Sequence, residues 1–263
     1  MLILAAAFGL AIGVALGLLG GGGSILAVPV LVYALGQSVT QAVPTSLLVV
    51  GASSVGGAVS YLRAGNVPWR TALVFGACGV GGSVAGADLN QRLDEDALLL
   101  GFAAVMVVAA IAMLRRSSQE SISDDDSDAV RDDAWRKHSA RVVGLGAAVG
   151  FMTGLFGVGG GFLVVPALTF AFDYPMQVAV GASLLVIVIN SAGGFASHLG
   201  YGSIDFGVAT AFTVAGIVGA VAAGRFSQRF NPARLTRWFG YLVLAVAAYV
   251  VVEVLVLDGG AVS

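Results

Sequence analysis

The stretch Gly17-Leu18-Leu19-Gly20-Gly21-Gly22-Gly23-Ser24-Ile25-Leu26-Ala27-Val28-Pro29 returns 137 residues later as Gly154-Leu155-Phe156-Gly157-Val158-Gly159-Gly160-Gly161-Phe162-Leu163-Val164-Val165-Pro166. Contiguous glycines break a helix, because glycine loses the most backbone freedom on ordering and offers no side chain to pack. Within a bilayer such a break is tolerated only where the backbone is buried in protein or lines a cavity. Paired breaks at matched places in two halves point to a transporter's binding site.

The chain around the motif is built for lipid. Charged residues are 11% of the sequence and hydrophobic ones 58%. Soluble domains carry about 25% charged residues, so a soluble fold is excluded. Leu2 to Leu62 contains no Asp, Glu, Lys or Arg, stretches 71–87, 97–114, 206–224 and 238–252 are equally charge-free, and 142–197 holds only Asp173. Apolar runs of about 18 residues or more read as transmembrane helices. The expectation is an all-α polytopic protein of the cell membrane, with lipid and a small anionic substrate as partners. No cofactor or nucleic-acid partner is expected, and a homo-oligomer is left open. Residues 1–19 lack the positive n-region of a signal peptide. The single cysteine, Cys78, reads as a small buried residue.

The offset of 137 persists beyond the glycines. Ala42-Val43 matches Ala179-Val180, Ser46-Leu47-Leu48-Val49 matches Ser183-Leu184-Leu185-Val186, Gly56-Gly57 matches Gly193-Gly194, and Gln91-Arg92 matches Gln228-Arg229. A duplication explains these identities, dividing the chain into repeats 1–116 and 141–258. The linker between them, 117–140, is rich in Ser and Asp up to Asp133 and then carries Trp135, Arg136 and Lys137, which with Arg141 form an interfacial anchor. Each half reads as a helix, the glycine break, a short apolar segment and three further helices: 2–19, 25–35, 43–62, 71–88 and 97–114, then 142–156, 162–172, 180–199, 206–224 and 235–256. The 11-residue segments 25–35 and 162–172 reach only ~16 Å as helix against a ~30 Å hydrocarbon core. Each broken pair is therefore expected to be a hairpin that turns near mid-depth.

Loop charge selects the orientation of the halves. If each broken pair crossed once, the repeats would be parallel, with eight Lys plus Arg inside and five outside. If each is a hairpin, the repeats are inverted, Arg92 alone lies outside and the other twelve face the cytoplasm. The positive-inside rule favours the second arrangement. It places both termini outside and the linker in the cytoplasm.

The residues after each break suit an anion. The first amides of a helix lack internal partners, the macrodipole is positive there, and glycine lets a ligand approach closely. The candidate substrate-binding residues are Gly20, Gly21, Gly22, Gly23 and Ser24 in the first loop, with Ser24 as a helix cap, and Gly157, Gly159, Gly160 and Gly161 in the second. Thr45, Ser46 and Ser53 in the third helix of repeat one, and Ser183 and Asn190 in that of repeat two, add neutral polar groups. Ser46 and Ser53, like Ser183 and Asn190, are seven residues apart and share a helix face. No basic residue lies deep in an apolar segment, so binding rests on dipoles. By contrast, Gly9-Gly13-Gly17 and Gly82-Gly86 have the four-residue spacing of helix-packing seams. His198, Asp173, Asp205 and Glu253 read as solvated end residues, and no catalytic or metal site is expected.

The two motifs ending in Val28-Pro29 and Val165-Pro166, the Ser46 and Ser183 segments and the charged central linker together resemble the TauE/SafE family. This is the sulfite exporter, or toluene sulfonate uptake permease, family. The resemblance covers roughly residues 5–255 and implies a plasma-membrane carrier for sulfur-containing anions such as sulfite, sulfoacetate and aromatic sulfonates. Val158 interrupts the second glycine run, so the loops need not contribute equally. A cation transporter or channel would need carboxylate, His or thiolate ligands at depth. An intramembrane hydrolase could be sought in Ser183 and His198, but one helix would hold them ~22 Å apart. A non-transporting scaffold would leave the doubled breaks unexplained.

Overall fold

The computed structural model describes residues 2–65, 67–90, 92–93, 95–119, 134–156, 161–198, 206–227 and 231–257. Repeat one comprises α1 (Leu2–Leu19), α2 (Gly22–Pro29), α3 (Val39–Arg63), α4 (Trp69–Asn90) and α5 (Glu95–Gln119). Repeat two comprises α6 (Ala134–Phe156), α7 (Gly161–Phe172), α8 (Met176–His198), α9 (Phe206–Ser227) and α10 (Pro232–Leu257). Every described regular element is helical. Five described helices (α1, α3, α4, α8 and α9) have segments long and apolar enough to cross a membrane. Local signals set several boundaries. Asn231 caps α10 by accepting a hydrogen bond from the Ala233 amide at 2.9 Å, and Pro232 occupies the first helical position, where no donor is missed. α6 begins at Ala134 and thus takes in the Trp135–Arg141 anchor, whereas 120–133 lies outside the described residues.

Glycine determines how the helices associate. A Cβ on Gly9, Gly13 or Gly17 of α1 would strike the backbone of Phe212, Gly216 or Ala220 in α9. The numbers rise together, so α1 and α9 run parallel with their backbones in contact. Gly79, Gly82 and Gly86 of α4 meet Gly146, Ala147, Gly150, Phe151 and Leu155 of α6 in the same parallel sense. Small residues permit this approach where lipid supplies no hydrophobic drive between helices. The first helix of each repeat thus packs against the fourth helix of the other.

The third helices meet differently. Gly51 faces Ser191, Gly57 faces Leu184, Gly181 faces Tyr61 and Gly194 faces Leu47. The numbers run in opposite senses, so α3 and α8 cross antiparallel. α3 runs parallel to α9, with Gly56 on Ile217, Gly57 on Ala220 and Gly224 on Tyr61.

Each short helix folds back from its break. Gly23 of α2 packs on Ile12 and Leu16 of α1, so these two helices form a hairpin. α1 spans 18 residues, about 27 Å of helix. After Pro29, which cannot donate, the chain continues as a wide π-type segment Val30–Ala34, with the Leu35 amide donating to Val30 O at 3.1 Å. α7 stays α-helical through Pro166. Both return arms end in a left-handed residue at matched positions, Gly36 (φ 66°) and Asp173 (φ 52°). Only the first has the residue type for which that conformation is strain-free.

Candidate functional site

The short helices α2 and α7 meet at their N-termini. A Cβ on Gly21 would overlap the backbone of Gly161 and Phe162, so the N-termini of α2 and α7 touch without intervening side chains. One face of α8 runs alongside. Gly20 (φ 74°) lies against Ser183 Oγ, Val165 and the Val180 backbone, and Gly161 lies against Ile187. Ser183, Ile187 and Asn190 share that face at four- and three-residue steps. Gly22 sits below Leu242 of α10. Gly157, Gly159 and Gly160 lie outside the described residues.

The hydroxyls are deployed differently from expectation. Ser24 does not cap α2: its Oγ donates to Gly21 O at 2.7 Å, and the cap position is Gly21 with no side-chain bond. Ser24 is the third residue of the helix, already too far along to cap it. Thr45 Oγ1 donates to Gln41 O at 2.7 Å, Ser46 Oγ to Val43 O at 2.7 Å and Ser183 Oγ to Val180 O at 2.8 Å. These are back-bonds to the preceding turn, the usual resource of Ser and Thr in apolar helices. They commit the proton, so these oxygens can accept but not donate.

Two matched positions retain unspent polarity. Ser53 Oγ and Asn190 Oδ1, related by the 137-residue offset, are buried with no hydrogen-bond partner among the described residues, as are Ser54 Oγ and Thr213 Oγ1. A buried polar atom without a partner costs about 1–3 kcal/mol. Such a group in a packed interior calls for an explanation, and a transient ligand is one. Ser53 Oγ lies against Gly216 of α9, so its environment is shared between α3 and α9 and not limited to the glycine turns.

Two side chains missed by sequence reasoning secure the broken ends. Tyr61 of α3, fully buried, donates from its hydroxyl to Gly17 O at 2.8 Å, in the last turn of α1. Asn90, the last residue of α4, donates from Nδ2 to Leu155 O at 2.6 Å, in the last turn of α6. Each satisfies one carbonyl that the glycine break deprives of a helical partner. The only sequence signal is a hydrogen-bonding side chain in or ending an apolar helix. Phe102 of α5 then brackets the second turn, packing on Phe156 before it (5.6 Å between centroids) and edge-on against Phe162 after it (5.4 Å). Leu19 and Ile25 occupy the matched places in the first.

Ser183 Oγ is bonded to its own helix, and His198 ends that same helix, 15 residues further on. Among the described residues no group of three His, Cys, Asp or Glu side chains could hold a metal. Apolar helices joined through glycine seams, with broken hairpins meeting inside the bundle, define a polytopic membrane transporter. The family model described as Sulfite exporter TauE/SafE matches residues 5–250, so the chain belongs to the TauE/SafE family of membrane transporters. It is similar to a probable membrane transporter protein of Xylella fastidiosa strain 9a5c, 37% identical over 246 residues and covering 91% of each chain. The probable membrane transporter protein YunE of Bacillus subtilis is 29% identical, over 85% of this chain and 86% of its own. A probable membrane transporter protein of Methanocaldococcus jannaschii is 28% identical, over 86% of each. No solved structure matches.

Proposed function

We propose that the chain is a secondary carrier for small sulfur-containing oxyanions, such as sulfite, sulfoacetate or other organosulfonates. The anion is held between the N-termini of α2 and α7, beside the α8 face that carries Ser183 and Asn190. The observation behind this reading is the contact of Gly21 with Gly161, which brings two helix N-termini to one point without a side chain between them. Backbone amides and helix dipoles there favour negative charge, their lack of formal charge allows release, and Ser183 donates only when its hydroxyl leaves Val180 O. Because these N-termini touch, an anion enters only when the hairpins part.

Alternating access follows from the arrangement of the repeats. The antiparallel α3–α8 crossing and the exchange of first and fourth helices support two inverted repeats that rock about their shared contacts. Inversion places Asp94 and Asn231, matched across the repeats, on opposite sides of the membrane. Cysteines introduced there in a Cys78→Ala background should react with impermeant maleimide from opposite faces, and labelling from one face would overturn the inversion.

Proteoliposome counterflow with sulfite, sulfoacetate, taurine, thiosulfate and sulfate, with and without a pH gradient, tests the substrate class. Exchange of a sulfur oxyanion is expected. Gly22→Leu and Gly159→Leu should abolish it while leaving insertion intact. Full exchange in both variants would remove the glycine turns from the mechanism.

A further inference from the structure

A cleft of about 270 Å³ opens at the C-terminal ends of α3 and α9, away from the glycine turns, lined by Val59, Ser60, Arg63, Ala64, Val221 and Arg225. Both arginines are exposed, stand in the last turn of their helices, and have no ion-pair partner among the described residues. The lining includes no carboxylate. A cation at a helix C-terminus complements the dipole, and that accounts for one arginine on each helix. It does not account for both facing one cleft, where like charges repel unless an anion intervenes.

The internal symmetry isolates the feature. Moved by 137 residues, Ser60 and Arg63 fall on Ser197 and Gly200, while Val221 and Arg225 fall on Val84 and Asp88. Asp88 is itself paired with Arg92 at 3.0 Å. The duplicated scaffold therefore supplies the cleft's apolar and hydroxyl positions at both matched places but the guanidinium pair at only one. The positive-inside rule accounts for arginine at this end and not at the other, but it does not require both side chains to line a single cleft.

We propose that Arg63 and Arg225 form a binding site for an oxyanion group, gripped between two guanidinium forks contributed by opposite repeats. Planar, permanently charged guanidinium suits a sulfonate, sulfate or phosphate group, whose oxygens accept two hydrogen bonds from each fork. Loop charge puts this mouth on the cytoplasmic side. The site rests on the cleft and its arginines, not on the carrier reading above.

The test is protection from arginine modification in the full-length protein, reconstituted in nanodiscs of phosphatidylcholine. Phenylglyoxal labelling of Arg63, Arg225 and the reference Arg234 is followed by peptide mass spectrometry, with sulfate or methanesulfonate present against chloride of equal ionic strength. Sulfate at about four times its Kd should slow labelling of Arg63 and Arg225 together by about five-fold, leaving Arg234 unchanged. Arg63→Gln should abolish protection of Arg225, and Arg63→Lys, which keeps the charge and the fold, should weaken it. Slow labelling of both arginines without added sulfate in phosphatidylglycerol nanodiscs, but not in phosphatidylcholine ones, identifies an anionic lipid headgroup as the source of the oxyanion group. Absence of protection in both lipids, or protection of Arg225 that survives both substitutions undiminished, overturns the proposal. Counterflow is not read here, so failure of the carrier reading is scored separately.

Discussion

The two hairpins, α1–α2 and α6–α7, carry the same sequence motif and differ in how they are held. Their first arms use the same device, a ladder of glycines against the opposite repeat's fourth helix. The third helices even conserve hydrogen bonding: Ser46 to Val43 O is matched by Ser183 to Val180 O, at 2.7 and 2.8 Å. The turns diverge. Tyr61 reaches across from α3 to secure the first, and Asn90 reaches from α4 to secure the second, which Phe102 also clamps. Backbone contact leaves one solution for a seam, because any added side chain collides with main chain. A lone carbonyl can be satisfied by any donor within reach, so the two copies could change their partners independently.

The largest effect should break what the hairpins share. Gly13→Leu and Gly150→Leu each place a side chain into backbone, of Gly216 and Gly79 respectively. Each should cost at least about 3 kcal/mol or prevent folding, to a similar extent, in detergent-unfolding titrations. A tolerated substitution at one seam would show that the seams are not equivalent.

Next come the unlike caps. Tyr61→Phe and Asn90→Leu each strand one carbonyl and should cost about 1–3 kcal/mol. The double variant should be additive, since the caps serve separate hairpins. Strong coupling would mean that the two turns form one cooperative unit.

Smaller still is the left-handed pair ending the return arms. Gly36→Ala meets no atom within 4 Å, so its cost of about 1 kcal/mol is conformational alone. Asp173→Gly relieves the same conformation but removes a side chain that makes an interaction, so its net effect on stability should be smaller than the cost of Gly36→Ala. The smallest effect on stability should come from Ser53→Ala, which removes a buried unpartnered hydroxyl and should leave the fold unchanged or slightly firmer. Reduced counterflow in that variant would separate a transport role from a structural one, and unchanged counterflow would remove Ser53 from the site.

Much of this was legible in the chain. Helix number, the doubled break and the glycine seams are local patterns of hydropathy and spacing. The hydroxyl assignments were less accessible. Ser24, Thr45, Ser46 and Ser183 carry the right chemistry, yet each spends its proton on a carbonyl three or four residues back. Sequence gives a residue's capacity to bond, whereas backbone geometry decides which partner is nearest.

By itself, then, the sequence determined an α-helical membrane protein with two related halves, each broken by glycine. These features follow from the cost of burying charge and unpaired backbone in lipid, which composition and spacing express directly. Tertiary structure alone decided that α1 lays its glycine seam on α9, that Gly21 abuts Gly161, and that Tyr61 serves Gly17, 44 positions away. It also decided that Arg63 and Arg225 share one cleft. Contacts between residues so distant in the chain have no local signature, because they exist only once helix seams have fixed which faces meet.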